Sequence, residues 1–346
     1  MRVHAIASCC IIFVALVAVN AIDPPRPAFA AGLQRYEFRE PHMGTTFRIV
    51  LYAPSEDLAK TAAKAAFARI AELNRIMSDY LDDSELMKLC KTSNEWTPVS
   101  ADLFAVLTKA DAMAKASEGA FDITVGPVVR LWRRARRTRE MPSAEALKKA
   151  LALVDFRNVE LDPARRAVRL RIAGILLDLG GIAKGSAADA ALAVLRMHGL
   201  TRALVAAGGD IAVADAPPDA KGWKVALEAP LPEAAPTVLL LTHAAVSTAG
   251  DANQFVVIDG KRYSHIVDPR TGLGLVGQRA VSVIAKSGVE ADAFDTAVCV
   301  MGVEKGMKLI EANPQVSARF VEGGDNGKVV ESTRFGAVVL RPQAGE

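Results

Sequence analysis

The stretch Asp178-Leu-Gly-Gly-Ile-Ala-Lys-Gly-Ser-Ala-Ala-Asp189 places three glycines and a lysine between an apolar segment and an alanine-rich one. Ile175–Leu177 before it predicts a strand, and the apolar spacing after it predicts a helix from Ile182 to Met197. Such a junction can point backbone N–H groups at an anion, with Lys184 as a point charge. The spacing fits neither the dinucleotide-binding fingerprint nor the Walker loop. A phosphate site and a tight packing turn therefore stay equally open for this loop alone.

Strands and helices alternate irregularly on both sides of this loop. Phe47–Tyr52 predicts a strand, and Asn158–Leu177 predicts a short-stranded meander broken by Asp-Pro and Ala-Gly. Apolar periodicity predicts the remaining elements, which are helices at Glu56–Met77, Ala101–Ser117, Glu290–Val300 and Val303–Glu311 and a strand at Gln278–Ala285. Because regular βαβ alternation is missing, the sequence favours an α+β fold over a doubly wound sheet.

The composition is that of a folded protein with little net charge. Among its 346 residues, 51% are hydrophobic and 23% are charged, and 42 Lys and Arg stand against 39 Asp and Glu. The formal net charge of +3 argues against nucleic-acid binding through a general electrostatic field.

The first thirty residues have the features of an export signal. A basic Arg2 precedes the apolar run Ala5–Val19, and Ala28-Phe29-Ala30 is the small-x-small pattern that signal peptidase cleaves. The apolar run is shorter than the ~20 residues needed to span a bilayer. We therefore predict a signal peptide at 1–30 and an exported, periplasmic domain at 31–346. Attachment to the inner membrane through an uncleaved signal is the less favoured alternative.

Cleavage would leave two cysteines, Cys90 and Cys299. Two isolated cysteines do not form a disulfide framework or a zinc cluster. We therefore expect both to be packed in the core, with a single disulfide as the less favoured interpretation.

Carboxylates cluster in the segment Glu290-Ala-Asp292-Ala-Phe-Asp295-Thr296. In a helix, Asp292, Asp295 and Thr296 would lie on one face. Hard oxygen ligands of this kind suit Mg²⁺, which fills its coordination shell with phosphate oxygens and water. Acidic residues in a first helical turn also complement the helix dipole, and that simpler interpretation is favoured for the segment alone.

A histidine lies in the segment Tyr263-Ser-His265-Ile-Val-Asp268-Pro-Arg-Thr-Gly272, at the predicted end of a strand. The Asp-Pro turn that follows has its own conformational explanation. His265 could act as a general base on a hydroxyl nucleophile. Without a visible partner in the sequence, a hydrogen-bonded structural histidine is the favoured interpretation of this residue alone.

Taken together, seven motifs in this order resemble the ApbE family, the FAD:protein FMN transferases. The resemblance covers roughly Glu37 to Ala312. The motifs are Met43-Gly44-Thr45-Thr46, Met77–Tyr80 with Asp83–Leu86, Gly119–Asp122 with Gly126-Pro127, Asp178–Asp189, Ala207–Asp210, Ser264–Gly272 and Ala291–Ala297.

This resemblance implies a T-fold-like mixed sheet with packed helices in a single large catalytic domain. It also implies Mg²⁺-dependent transfer of the FMN half of FAD to a Thr or Ser hydroxyl, with release of AMP. The acceptor would be a flavoprotein such as a subunit of a membrane redox complex. Two alternatives stay open, a Mg²⁺-dependent FAD pyrophosphatase that gives free FMN and AMP, and a non-catalytic periplasmic flavin-binding protein.

The resemblance carries residue roles onto matching positions of this sequence. Metal ligation would come from the carbonyl of Gly181 and the side chains of Asp292 and Thr296, with Asp295 beside them. His265 matches the family's catalytic histidine, and Asp295 is a second candidate for assisting the hydroxyl. The positions that would contact FAD are Met43, Tyr80, Ala120, Phe121, Asp122, Asp178, Lys184 and Ile266.

One segment departs from the family pattern. Five arginines occur between Arg133 and Arg139, where the family usually has a neutral stretch that contains glycine. A solvated loop is the favoured interpretation of this run. Docking of the acceptor and peripheral contact with anionic lipid headgroups are the alternatives.

Overall fold

The computed structural model describes residues 32–227, 236–251, 254–323 and 327–340. From Leu33 onward the chain forms one compact unit. The predicted signal peptide, residues 1–30, lies outside the described residues. Within the described ranges, no helix combines the length and the apolar character that crossing a membrane requires.

The helices of the described part are, in chain order, α1 Glu56–Met77, α2 Glu85–Leu89, α3 Ala101–Ala116, α4 Gly126–Thr138, α5 Ala144–Leu151, α6 Ala183–Met197 and α7 Gly288–Glu311. Most begin at a serine whose hydroxyl accepts a backbone N–H, as Ser55 does for α1 and Ser100 for α3. The predicted helix at Glu56–Met77 is confirmed. The two helices predicted on either side of Gly302 are confirmed as the two parts of α7, which meet at a kink at that glycine, where φ is 79°.

The strands are β1 Gln34–His42, β2 Thr45–Ala53, β3 Thr97–Pro98, β4 Val159–Asp162, β5 Ala167–Leu170, β6 Ala203–Ala207, β7 Asp210–Val213, β8 Trp223–Leu227, β9 Thr237–Leu241, β10 Ala244–Gly250, β11 Phe255–Ile258, β12 Lys261–Val267, β13 Gly274–Val276, β14 Arg279–Ala285, β15 Ser317–Glu322 and β16 Lys328–Glu331. The main sheet has the order β1-β2-β6-β7-β10-β14-β15-β16, and β11-β12-β13, β3-β5-β4 and β8-β9 form smaller sheets. The predicted α+β class is confirmed. The resemblance implies a mixed sheet. The structure differs on this point, because all paired strands of the described part are antiparallel.

The two faces of the main sheet are covered by different elements. On β2, the side chains of Phe47, Ile49 and Leu51 join the large core formed with α1, α6 and α7. Val50 points the other way, into a smaller core with the β8-β9 hairpin and Phe335. This alternation follows from the two-residue period of a strand. Burial of both sheet faces places β7 and β10 against helices α6 and α7.

Two predicted segments differ from the structure. Ile175–Leu177 does not form a strand, because the N–H of Leu177 donates to the Cys90 thiol (3.3 Å) and that of Asp178 to the Ile123 carbonyl (2.8 Å). The interpretation of the arginine run as a loop is also wrong, since Arg133 to Thr138 belong to α4. Cys90 and Cys299 are both buried free thiols.

Candidate functional site

The segment Asp178–Asp189, called the glycine loop below, and the start of α7 meet at a close backbone crossing. A Cβ added at Gly185 on α6 would lie 2.0 Å from the carbonyl oxygen of Gly288, so only glycine fits there. The carboxylate of Asp189 accepts hydrogen bonds from the N–H groups of Gly288 (2.7 Å) and Val289 (3.0 Å). Helix α6 therefore caps the start of α7, and this contact sets where the first turns of α7 lie.

Three buried carboxylates converge beside this crossing. Asp292 and Asp295 extend from α7, and Asp210 is the first residue of β7. Each is 3% exposed or less, and their ligand oxygens lie within 4.8 Å of one another. Asp210 belongs to a motif recognised in the sequence but was not predicted as a site residue. The Gly-Gly turn before it was the signal that could have indicated a constrained, functional position.

Ser247 on β10 joins two of these carboxylates, and it too was missed by sequence reasoning. Its hydroxyl contacts Asp210 and lies 2.5 Å from Oδ2 of Asp295. Because a hydroxyl has one proton to donate, it can satisfy only one ionised carboxylate at a time. Burial, with the charges of Asp292 and Asp210, raises the pKa of Asp295 well above its usual value.

Lys184 supplies a positive charge to the cluster. Its Nζ lies 2.8 Å from Oδ2 of Asp210 and 3.5 Å from Oδ1 of Asp292. Burial opposes the charged form of Lys184, but the neighbouring carboxylates together outweigh it and raise the pKa of this ammonium. Burial and the charge of Asp210 raise the pKa of Asp292 to about 7. One ammonium against three carboxylates leaves the cluster short of positive charge.

The donor set fits a hard divalent cation. The predicted ligands come together, since a Cβ on Gly181 would lie 2.7 Å from Oγ1 of Thr296, and this hydroxyl lies 3.2 Å from Oδ1 of Asp295. Carboxylate, hydroxyl and carbonyl oxygens are the groups that Mg²⁺ prefers. The excess of buried negative charge is a second reason why a cation would be favoured here.

The glycine loop uses much of its backbone internally. The N–H of Gly180 donates to Oδ1 of Asp178 (2.8 Å), and that of Gly185 donates to Oδ2 of Asp292 (3.0 Å). The N–H of Ala183 donates to the Leu179 carbonyl. The sequence-based expectation of free amides aimed at an anion therefore does not hold for these three groups. Lys184 is the positive group of the loop that could face a phosphate.

His265 is placed as a neutral base. It lies within β12 rather than at its end, and its backbone N–H and Nδ1 are 3.0 Å and 3.1 Å from the carbonyl of Gln254. Because a carbonyl only accepts, Nδ1 carries the proton and Nε2 keeps its lone pair. Burial lowers the pKa of His265, and the positive charges of Arg136 and Lys184 lower it further.

The remaining predicted FAD contacts lie in different environments. Met43 occupies the β1–β2 turn with φ at 49°, and Ile266 packs partly buried against the core. Ala120 and Phe121 are buried, so the Phe121 ring does not line an open surface. By contrast, Tyr80 is 72% exposed.

Asp122 is fully engaged in local structure. Its Oδ1 accepts hydrogen bonds from the N–H and the hydroxyl of Thr124 (2.8 Å and 2.6 Å). Its Oδ2 accepts from the N–H of Phe156 (2.8 Å). This carboxylate therefore fixes the loop that leads into α4.

Arg133 contacts two other predicted FAD residues. Its guanidinium donates to Asp79 and to Oδ2 of Asp178 (3.0 Å). Its Cζ lies 4.2 Å from the centre of the Tyr80 ring. Sequence reasoning gave Arg133 no role in the site, and the apolar face formed by Val128, Trp132 and Ala135 does not include this position.

The site can be compared with known proteins. A family model described as the ApbE family matches residues 43–320. The FAD:protein FMN transferase of Treponema pallidum is 33% identical over 311 residues, covering 84% of this chain and 85% of that protein. The FAD:protein FMN transferase of Haemophilus influenzae is 31% identical over 304 residues, covering 84% and 87%.

Solved structures agree with this similarity. The flavin transferase ApbE from Vibrio cholerae superposes with a TM-score of 0.81 at 31% identity, covering 88% of this chain and 99% of that chain. The ApbE protein of Thermotoga maritima gives a TM-score of 0.80 at 30% identity, covering 89% and 100%. The predicted ApbE-like fold is thereby confirmed. Sequence, fold and the extent of the match lead to one conclusion: this chain belongs to the ApbE family of transferase enzymes.

Proposed function

We propose that this protein transfers the FMN half of FAD to a Thr or Ser hydroxyl of an acceptor protein, with Mg²⁺ and with release of AMP. The observation that carries the proposal is the buried cluster of Asp210, Asp292 and Asp295 beside Lys184. A pyrophosphate is the kind of ligand that needs such a combination, because a metal held by carboxylates and a lysine can both neutralise its oxygens.

The reaction balances without an external redox partner. The acceptor oxygen forms a bond to the phosphorus of the FMN half, and the bond from that phosphorus to the bridging oxygen breaks. AMP leaves with the bridging oxygen. The hydroxyl proton passes to Nε2 of His265, which the Gln254 carbonyl keeps unprotonated and oriented.

Other residues of the chain would bind and orient. Asp292, Asp295, Thr296 and the Gly181 carbonyl would hold Mg²⁺, with Asp210 adjacent. When bound, Mg²⁺ neutralises charge that develops on phosphate oxygens as the P–O bond breaks. Ser247 would hold Asp210 and Asp295 close together, because its hydroxyl lies within hydrogen-bonding distance of both carboxylates.

A pyrophosphatase is the second candidate function. Water and a protein hydroxyl would attack the same phosphorus, and the exposure of Tyr80 leaves this side of the site open to solvent. In that case AMP and free FMN would be the products. A flavin-binding protein without turnover is less favoured, because a simple binder has no use for three buried carboxylates.

The test is incubation of the protein with FAD and a candidate acceptor domain, in Mg²⁺ or in EDTA. We expect covalent flavin on the acceptor in Mg²⁺, none in EDTA, and none on an acceptor whose target hydroxyl residue is replaced by Ala. Free FMN with an unmodified acceptor would support the pyrophosphatase instead.

We also propose that the protein works outside the cytoplasm, on an acceptor such as a subunit of a membrane redox complex. The support is the pattern of the first thirty residues, with its basic start, apolar run and Ala28-Phe29-Ala30. N-terminal sequencing of the exported protein tests this, and a new N-terminus at Ala31 is the expected result.

A further inference from the structure

Arg133 is turned inward, unlike its neighbours on α4. Its side chain is 19% exposed, whereas Arg134 and Arg137 are exposed. The guanidinium forms ion pairs with Asp79 and Asp178, which come from two separate loops. Burial raises the pKa of Asp178, and the negative charge of nearby Asp79 raises it further. Arg133 therefore holds together two like charges that would otherwise separate.

The same guanidinium covers one side of Tyr80. The Cζ of Arg133 lies 4.2 Å from the ring centre, within the range of a cation–π contact. Tyr80 is nevertheless 72% exposed, so most of its surface is open to solvent. Its backbone is fixed as well, because the N–H of Tyr80 donates to the hydroxyl of Ser78 (3.2 Å). An exposed aromatic ring held in one orientation can stack on a second planar ring.

Arg133 also connects this ring to the glycine loop. Oδ2 of Asp178 accepts from Arg133 at 3.0 Å, while Oδ1 of the same carboxylate accepts from the N–H of Gly180 at 2.8 Å. One side chain therefore sets the distance between an exposed aromatic ring and the loop that carries Lys184. That arrangement suits a ligand with a planar ring at one end and phosphates next to it.

We propose that Arg133 is a positioning residue that orients Tyr80 to stack on a planar ring of FAD. The proposal rests on the proposed function, in which FAD is the substrate. Arginine is required because its planar fork binds two carboxylates and lies flat on an aromatic ring. Lysine keeps the charge but cannot do both.

The experiment measures binding to the full chain of FAD in EDTA, and of FMN and AMP separately. FMN and AMP distinguish the flavin ring from the adenine ring, and neither can be turned over. We expect Arg133→Ala to bind FAD and one of the two halves about tenfold more weakly. This is the size of effect expected when Arg133 no longer holds the Tyr80 ring by its cation–π contact. Wild-type affinity of Arg133→Ala for all three ligands would overturn the proposal.

A double-mutant cycle tests whether Arg133 acts through Tyr80. In the Tyr80→Leu background, we expect Arg133→Ala to weaken FAD binding by less than about twofold, because the ring that it positions is gone. An undiminished tenfold loss in that background would show that Arg133 does not act through Tyr80 and would overturn the proposal. A residue with a merely structural role would give that undiminished loss.

Two further variants serve as controls. Arg137→Ala removes the same charge from an exposed position of the same helix, and we expect FAD affinity within about twofold of wild type. Arg133→Lys should recover part of the lost affinity. If Arg133→Ala fails to fold, Arg133→Lys takes its place in the cycle with Tyr80→Leu. Wild-type transfer of FMN is measured separately, so a failure of this proposal is distinguishable from a failure of the proposed function.

Discussion

The ammonium of Lys184 lies 2.8 Å from Oδ2 of Asp210. This ion pair joins the glycine loop at the start of α6 to the first residue of β7. This ion pair lies at the edge of the three-carboxylate cluster and partly neutralises it. Helix α6 and strand β7, which β6 separates in the sequence, therefore depend on each other electrostatically. The consequence is that the stability of this region should respond both to Lys184 and to an added cation.

We predict that Lys184→Met lowers the free energy of unfolding in EDTA by about 2 kcal/mol. Loss of a partner from a buried ion pair typically costs 3–5 kcal/mol, and the partial exposure of Lys184 reduces this. Added Mg²⁺ should restore much of the loss, because a cation can replace the ammonium. Urea denaturation measures both effects, with Lys64→Met as the exposed-lysine control. A variant as stable as wild type in EDTA would contradict the prediction.

The stability of the metal-free protein should fall as pH rises. The pKa of Asp292 is raised from its usual value to about 7, so the folded state binds more protons than the unfolded state between about pH 4 and 7. Stability is then greatest below this window and is lost across it, by about 2–4 kcal/mol. Lys184 adds no slope here, since its raised pKa lies far above the window.

Chemical denaturation in EDTA at pH 5 and pH 7.5 measures this slope. Asp292→Asn is the matched variant, because it removes the titrating group while its amide oxygen can still accept from the N–H of Gly185. We expect the unfolding free energy to change less with pH in Asp292→Asn than in wild type in EDTA. We expect the same smaller change for wild type in Mg²⁺. The prediction is wrong if wild type and Asp292→Asn have the same slope in EDTA.

His265→Ala should slow FMN transfer by about 100-fold or more while leaving the FAD dissociation constant within about twofold. A general base typically contributes this much to rate, and its lone pair on Nε2 is not needed to bind FAD. In wild type, the midpoint of the acid limb of the pH–rate profile should lie below the usual histidine value of 6.5, because burial lowers the pKa of His265. His243→Ala is the control, and a loss of FAD affinity equal to the loss of rate would contradict this role.

Gly185→Ala should separate α6 from α7. The added Cβ would lie 2.0 Å from the Gly288 carbonyl oxygen, a backbone atom that cannot move without the helix. We expect a loss of about 3 kcal/mol in unfolding free energy, together with weaker Mg²⁺ binding measured by calorimetry. Ser186→Ala, the neighbouring position on α6, is the control. Wild-type metal affinity in Gly185→Ala would disprove the claim that this crossing positions Asp292.

Local patterns carried much of what the sequence could predict. The face shared by Asp292, Asp295 and Thr296 follows from helical spacing, and α1 was predicted with its observed ends. Asp210 and Ser247 could not be grouped with them in this way. They approach because β7 and β10 pair antiparallel, with Ile211 opposite Val246, and this register depends on the whole sheet.

The surroundings of Arg133 could not be predicted from the sequence either, for a different reason. Its charge predicted a solvated position, yet its ion pairs with Asp79 and Asp178 join a helix to two loops. Such contacts depend on how separate elements pack, so no local pattern in the sequence reveals them.

The most direct test of the central claim is the ratio of AMP released to flavin covalently bound to the acceptor, measured in one reaction with FAD and Mg²⁺. Transfer predicts one AMP for each flavin on the acceptor, because the phosphorus that loses AMP gains the acceptor oxygen. AMP released together with free FMN, and no covalent flavin on the acceptor, would contradict the account.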